Sequence, residues 1–373
     1  MPFLTQAQSQ GQSPEQSPEQ GEDGFVSLFD GKSLNGWTVA DGPETAFYVE
    51  DGSIVVQESE GFPAWLRSVK QYENFDFRGD FFIKGWSDSG IYFHVPEHGR
   101  PTWNGIQIHL FHEAEARPKP QSMGAIFPIL APGKVNVKDG WNSFRILMDW
   151  PRLQVWTNGE MVQDVDVVKV PELKYRFRRG FLGFESLSYP LKFRSLRVRE
   201  LAATDRHPLI YGSPGDFAAN WMVTEGKPAV QLLGGVIHLD GNGQIGTKVK
   251  YRDFDLQMFV RHAKHHNSGV LFRADGFGET KRRYEIQLHD VEGAHYPTGS
   301  LYSIKRALYP KIEAEVWFPM RVVVKERNVL VRINGDTVLE YDQLDNLEEA
   351  SIQLQAHAPG KWTEFKQVRL RRL

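Results

Sequence analysis

Hydrophobic and polar positions alternate along this chain in short runs. Phe254, Leu256, Met258 and Val260 are apolar, with Asp255, Gln257 and Arg261 between or beside them. Ile352, Leu354 and Ala356 alternate with Gln353, Gln355 and His357, and residues 322–324 and 329–333 are rich in β-branched side chains. A period of two bounded by Gly, Pro and Asn predicts half-buried strands. Asn158-Gly159 and Asn334-Gly335 each fall between such runs, where both residues tolerate the positive φ of a tight hairpin. No segment carries a long amphipathic helical period. Many short strands with regular turns predict two face-to-face sheets, an all-β sandwich or jelly roll.

The pattern occurs twice. Asp88-Ser-Gly-Ile-Tyr-Phe-His recurs as Asn267-Ser-Gly-Val-Leu-Phe-Arg, and Ile106-Gln-Ile-His as Ile286-Gln-Leu-His. Trp37 matches Trp221, and the two Asn-Gly pairs match each other. A repeat this long is a tandem domain, not a solenoid unit. The expected organisation is a Gln/Ser/Pro-rich disordered tail over 1–24, a first domain over 25–201 and a second over 206–373.

Strand parity locates candidate chemistry, because residues two apart share a face. In Tyr284-Glu-Ile-Gln-Leu-His, Ile286 and Leu288 face the core, so Glu285, Gln287 and His289 face outward together. Gln353, Gln355 and His357 likewise oppose Ile352 and Leu354. Arg273 is expected outward, since Val270 and Phe272 point in. The first copy aligns Gln107 and His109 with Gln287 and His289. It places Gly105 at Glu285, His94 at Arg273 and Leu110 at Asp290. Glu185 and Leu187 take the places of Gln355 and His357. A polar face on an exposed sheet is common; Glu, Gln and His grouped together suit ligand binding better than a solvated Lys/Thr face.

Composition narrows the class. A net charge of −3 argues against a dedicated nucleic-acid binder. With no cysteine, thiolate catalysis, disulfides and zinc–thiolate sites are excluded. No apolar stretch is long enough for a membrane helix. No signal peptide is visible, so a periplasmic or secreted location is expected only if a leader was removed. His262, His265 and His266 lack a nearby carboxylate signature and read as a solvated loop. Lys281-Arg282-Arg283 reads as a solvated loop edge. Asp30-Gly31 and Asp51-Gly52 read as turns.

The opening Phe25-Val-Ser-Leu-Phe-Asp-Gly-Lys-Ser-Leu-Asn-Gly-Trp37 resembles the start of the 3-keto-disaccharide hydrolase family. Asn267-Ser-Gly-Val with Arg273, Tyr284-Glu-Ile-Gln with Asp290, Thr298-Gly-Ser-Leu-Tyr302 and Leu354-Gln-Ala-His357 are similar to later family motifs. So are Asp88-Ser-Gly-Ile, Gly124-Ala-Ile-Phe and Gly140-Trp-Asn142. The second copy departs from the family in lacking the Phe-Asp-Gly opening and in having Trp317-Phe318 for Trp-Asn. The resemblance implies two concanavalin-A-like jelly rolls and a carbohydrate ligand. It also implies acid/base cleavage of a glycoside oxidised at C3, where a ketone acidifies the C2 hydrogen and lets the C1 substituent leave. On that reading Glu285 or His357 is the base, Arg273 stabilises the oxyanion, and Gln287, His289 and Gln355 hold hydroxyls. Asp290 and Tyr302 position sugar or metal, and His94, Gln107, His109 and Glu185 form the first copy's counterpart. A divalent metal is compatible with this chemistry, and no cofactor is assigned. The rival readings are a non-catalytic sugar binder using Trp65, Trp86, Trp103 and Trp362, a partner-binding module, and a site between the copies.

Overall fold

The computed structural model describes residues 23–58, 63–113, 117–187, 189–203, 207–273, 283–308 and 312–373. The expected tail and Lys281-Arg282 lie outside the described residues, apart from Asp23 and Gly24 at the tail's end.

Four antiparallel sheets make two sandwiches, each pairing an eight-stranded with a five-stranded sheet. The strand order repeats element for element. The first five-stranded sheet runs Trp37–Ala40, Ala64–Tyr72, Gly180–Ser186, Asp88–Val95, Ile106–Phe111. The second runs Trp221–Gly226, Gly243–Thr247, Gln353–Ala356, Asn267–Phe272, Tyr284–His289. The inward residues of each pair of sheets form one core: Phe75, Phe77, Phe93, Ile108 and Phe184 in the first, Phe254, Phe272, Ile286, Val322 and Leu354 in the second. Burying such side chains is the main stabilising term. Both hairpins form as expected, with φ of 50° and 79° at Asn158-Gly159 and 53° and 90° at Asn334-Gly335. No helix is long and apolar enough to cross a membrane among the described residues.

The halves are docked. Arg321 forks onto Asp255 (Nε–Oδ1 2.7 Å, Nη2–Oδ2 2.5 Å), and its Nη1 donates across the junction to the Tyr175 and Arg176 carbonyls at 2.7 and 3.1 Å. Arg100 pairs with Asp336 at 2.6 Å, Lys366 with Glu97 at 3.1 Å, and Phe177 stacks on Phe259. The eight-stranded sheet of the second half therefore rests on the loops at one end of the first.

Candidate functional site

The outer face of each five-stranded sheet carries the polar set, and its register differs from the sequence alignment. Gly90 lies opposite His109 and Tyr92 opposite Gln107. Gly269 lies opposite Gln287 and Leu271 opposite Glu285. The equivalent pairs are therefore Gln107 with Glu285, and His109 with Gln287, a shift of two residues. The following segment agrees: Gly124 N donates to His109 O as Gly299 N does to Gln287 O, and Phe127 N to Gln107 O as Tyr302 N does to Glu285 O. A slip of two preserves which face a side chain takes, so parity predicted the faces while the residue-for-residue match failed. Gln355 and His357 do correspond to Glu185 and Leu187.

In the second half Glu285 folds across the bare backbone of Gly269, where a Cβ would collide with its carboxylate. Burial pushes its carboxyl up to about 7, opposed only by the charge of Arg283. Among the described residues no hydrogen bond reaches that carboxyl. Gln287 Nε2 donates to Asn267 Oδ1 at 2.6 Å, and the buried Oε1 atoms of Gln287 and Gln355 have no partner there. Two unpaired amide oxygens beside a poised carboxyl are acceptors matched to hydroxyl donors. His289 is half-buried at the sheet edge, its imidazole pKa lowered by burial and by His357 against the pull of Asp290. His357 and Tyr302 are exposed, Tyr302 at 49%. Arg283, read from sequence as a solvated loop edge, shares the parity of Glu285 and is the cation that Glu285 feels; the strand period was the signal available for it.

In the first half the same face is closed on itself. Gln107 crosses Gly90 and donates to Glu185 at 2.8 Å, and accepts from Thr102 Oγ1 at 2.9 Å. His109 bridges Asp88 Oδ1 (2.9 Å) and the Gln121 carbonyl (2.6 Å). Burial raises the Glu185 carboxyl, with Asp88 adding to that and hydrogen bonds from Tyr92 and Gln107 working against it.

Several expectations need correction. Arg273 does not face outward: its φ of 50° breaks the strand alternation and its side chain is fully buried. Its guanidinium donates to the Arg252, Asn346 and Glu326 carbonyls and to Asp253, so it ties loops together. His94, its counterpart, has φ 54°, packs against Phe75 and Phe93, and pairs with the Glu73 carbonyl. Asp290 is taken up by the neighbouring turn, accepting from the backbone N–H of His265 and His266 at 3.2 and 2.7 Å. That turn is not solvated throughout, since His262 and His266 are fully buried. Of the four tryptophans, Trp65 is buried against Tyr92 and Phe181, Trp362 stacks on His238, and Trp103 packs at the junction against Gly335; Trp86 alone is largely exposed. Among the described residues no group of three His, Asp or Glu is placed to hold a metal ion.

Solved structures similar to this chain include a "putative glycosyl hydrolase" from Parabacteroides distasonis, 23% identical over 48% of this chain and 95% of that one, TM-score 0.42. A carbohydrate-binding module, CBM66, from Bacillus subtilis is 13% identical over 44% and 96%, TM-score 0.32. No curated protein matches the chain. The 3-keto-alpha-glucoside-1,2-lyase-like domain matches twice, over residues 24–199 and 212–371, each match spanning one sandwich. The chain is a tandem member of the 3-keto-alpha-glucoside-1,2-lyase-like domain family.

Proposed function

We propose that the second half cleaves 3-keto-glycosides and that Glu285 is the base. The observation that carries this reading is a carboxyl poised near neutrality beside two amide oxygens with no partner among the described residues, on a face whose first-half counterpart has tied up the same positions. A general base works best with a pKa near the operating pH.

The family supports a carbohydrate-related protein, and the keto-sugar chemistry is what that family implies for such a base. Glu285 takes the C2 proton, and the C2–H electron pair forms the enolate of the C3 ketone. The enolate collapses, re-forming the ketone and making the C1–C2 double bond. The C1–O bond breaks, and the departing oxygen takes a proton. Addition of water across the new double bond then completes a net hydrolysis. Gln287 and Gln355 accept bonds from sugar hydroxyls through their Oε1 atoms. Arg283 replaces Arg273 as the cation that stabilises the enolate oxygen, a preorganised charge where charge develops. His357, exposed at the end of the same sheet, is the second proton carrier.

Turnover of a 3-keto-glucoside by Glu285→Gln and Glu185→Gln proteins tests this. Loss in the first and retention in the second is expected; retention of full turnover by Glu285→Gln overturns the reading.

A further inference from the structure

The junction between the halves contains a cleft that the proposed chemistry does not use. Glu73, Arg178 and Arg179 line it from the first half, and His207, Gln257 and Arg369 from the second. It is small, with room for about two or three waters, which is also the room one tetrahedral oxyanion takes.

Its polar groups are unevenly matched. Gln257 is 4% exposed, and its Nε2 donor has no partner among the described residues. The duplication shows why. The equivalent position in the first half is Arg78, which forks onto the buried Asp76 at 3.0 and 2.7 Å. In the second half Arg321 and Arg371 serve Asp255 instead, and the shorter Gln257 is left facing the cleft. His207 is 7% exposed; its Nε2 lies 2.9 Å from the Asp255 carbonyl and its Nδ1 has no partner among the described residues. Burial holds the His207 imidazole down at about 4, so it is neutral near pH 7. Arg369 donates to the His207 carbonyl at 3.1 Å, and its pKa is lowered by burial and then by Arg179, with Glu73 opposing. Among the described residues the guanidiniums of Arg179 and Arg369 thus line the cleft with the Glu73 carboxylate, Arg178 lies over the Trp150 ring, and a buried amide donor points at the same space. An unpaired buried donor is costly. Guanidinium forks around a buried N–H are the usual recognition of a phosphoryl group.

We infer that this cleft binds a small doubly charged oxyanion, a phosphate, between the two halves, held by Arg179, Arg369 and the Gln257 amide. The ion is free inorganic phosphate or the phosphate of a phosphorylated sugar. Because it contacts both halves, its binding stabilises the docked arrangement by mass action.

The test is calorimetric titration and thermal unfolding of the full chain with sodium phosphate, with sodium chloride at matched ionic strength as the control. Phosphate at about 10 mM is expected to raise the midpoint by at least about 2 °C beyond chloride. Arg179→Gln, at an exposed position, and Gln257→Met, close in volume, are each expected to weaken binding at least about tenfold. A midpoint like that of the unaltered chain in chloride shows that a variant is folded; if Gln257→Met is not, Arg179→Gln decides alone. Glucose 6-phosphate is the second arm: tighter binding than phosphate assigns a sugar phosphate, and weaker binding assigns the free ion. No effect beyond chloride, or an effect undiminished in the folded variants, overturns the inference. Neither readout involves glycoside turnover.

Discussion

Gln107 and Glu285 occupy one position in two copies of the fold, each folded across a glycine of the neighbouring strand. In the first half the amide crosses Gly90 to a carboxylate, Glu185, on the far side. In the second the carboxylate itself crosses Gly269, and the far side carries the amide of Gln355. Duplication has exchanged acid and amide between two strands. The exchange converts a satisfied pair into a carboxyl without a hydrogen bond among the described residues, and desolvation then raises its pKa.

That pKa predicts the pH dependence of turnover. Glu285 must be ionised to act as a base, so kcat/KM on a 3-keto-glucoside should rise through about pH 7 and level above it. A profile already level from pH 5 would count against Glu285.

Stability should respond in the opposite sense. A carboxyl raised from 4.5 to about 7 by burial favours the folded state fully below about pH 4.5, and that contribution is lost as pH rises through 7. Glu285→Gln removes the charge, so it should gain on the order of 2 kcal/mol over the unaltered chain at pH 8 and about nothing at pH 4. Urea unfolding at the two pH values measures this; a pH-independent difference would show that the carboxyl is not desolvated.

Gly269→Ala probes the crossing itself. The new Cβ meets Glu285 from its Cγ to its carboxylate, and this flexible side chain must swing away. The cost in stability should therefore be modest, about 1 kcal/mol, while turnover falls at least about tenfold because the base is displaced. A fall in stability with turnover intact would separate Glu285 from the chemistry.

The alternation of Ile286, Leu288, Ile352 and Leu354 with polar residues was enough to read the sandwich and the outward face of Glu285, Gln287 and Gln355, since period two survives any even slip. The same property hid the correct partners: Ile106-Gln-Ile-His and Ile286-Gln-Leu-His look alike, yet the register makes Gln107 the equivalent of Glu285. Arg273 and His94 were misplaced because parity assumes extended backbone, and both adopt a left-handed φ. Asp290 and the buried His262 and His266 depend on a turn whose closure has no signature in spacing. The docking of the halves, with Arg321 reaching Tyr175 and Arg176, is a long-range contact that no local pattern encodes.

Asp255 is the hinge of that docking. It is fully buried, and although desolvation works the other way, Arg321, His207 and Arg371 hold its carboxyl down at about 2. A depressed pKa of this kind stabilises the fold above about pH 3.8, and the stability is lost as pH falls through 2, on the order of 2 kcal/mol. Asp255→Asn takes the buried counter-charge from Arg321, the residue that grips the Tyr175 and Arg176 carbonyls of the other half. Breaking a buried pair this way costs about 3–5 kcal/mol. Asp76→Asn makes the same change in the first half, where the partners Arg78 and Arg145 are about one-third exposed, and should cost less because water can solvate them. Scanning calorimetry should therefore show Asp255→Asn unfolding in two separated transitions, one for each half, while Asp76→Asn keeps the coupled profile of the unaltered chain. Equal behaviour of the two variants would mean that Arg321 does not transmit the docking.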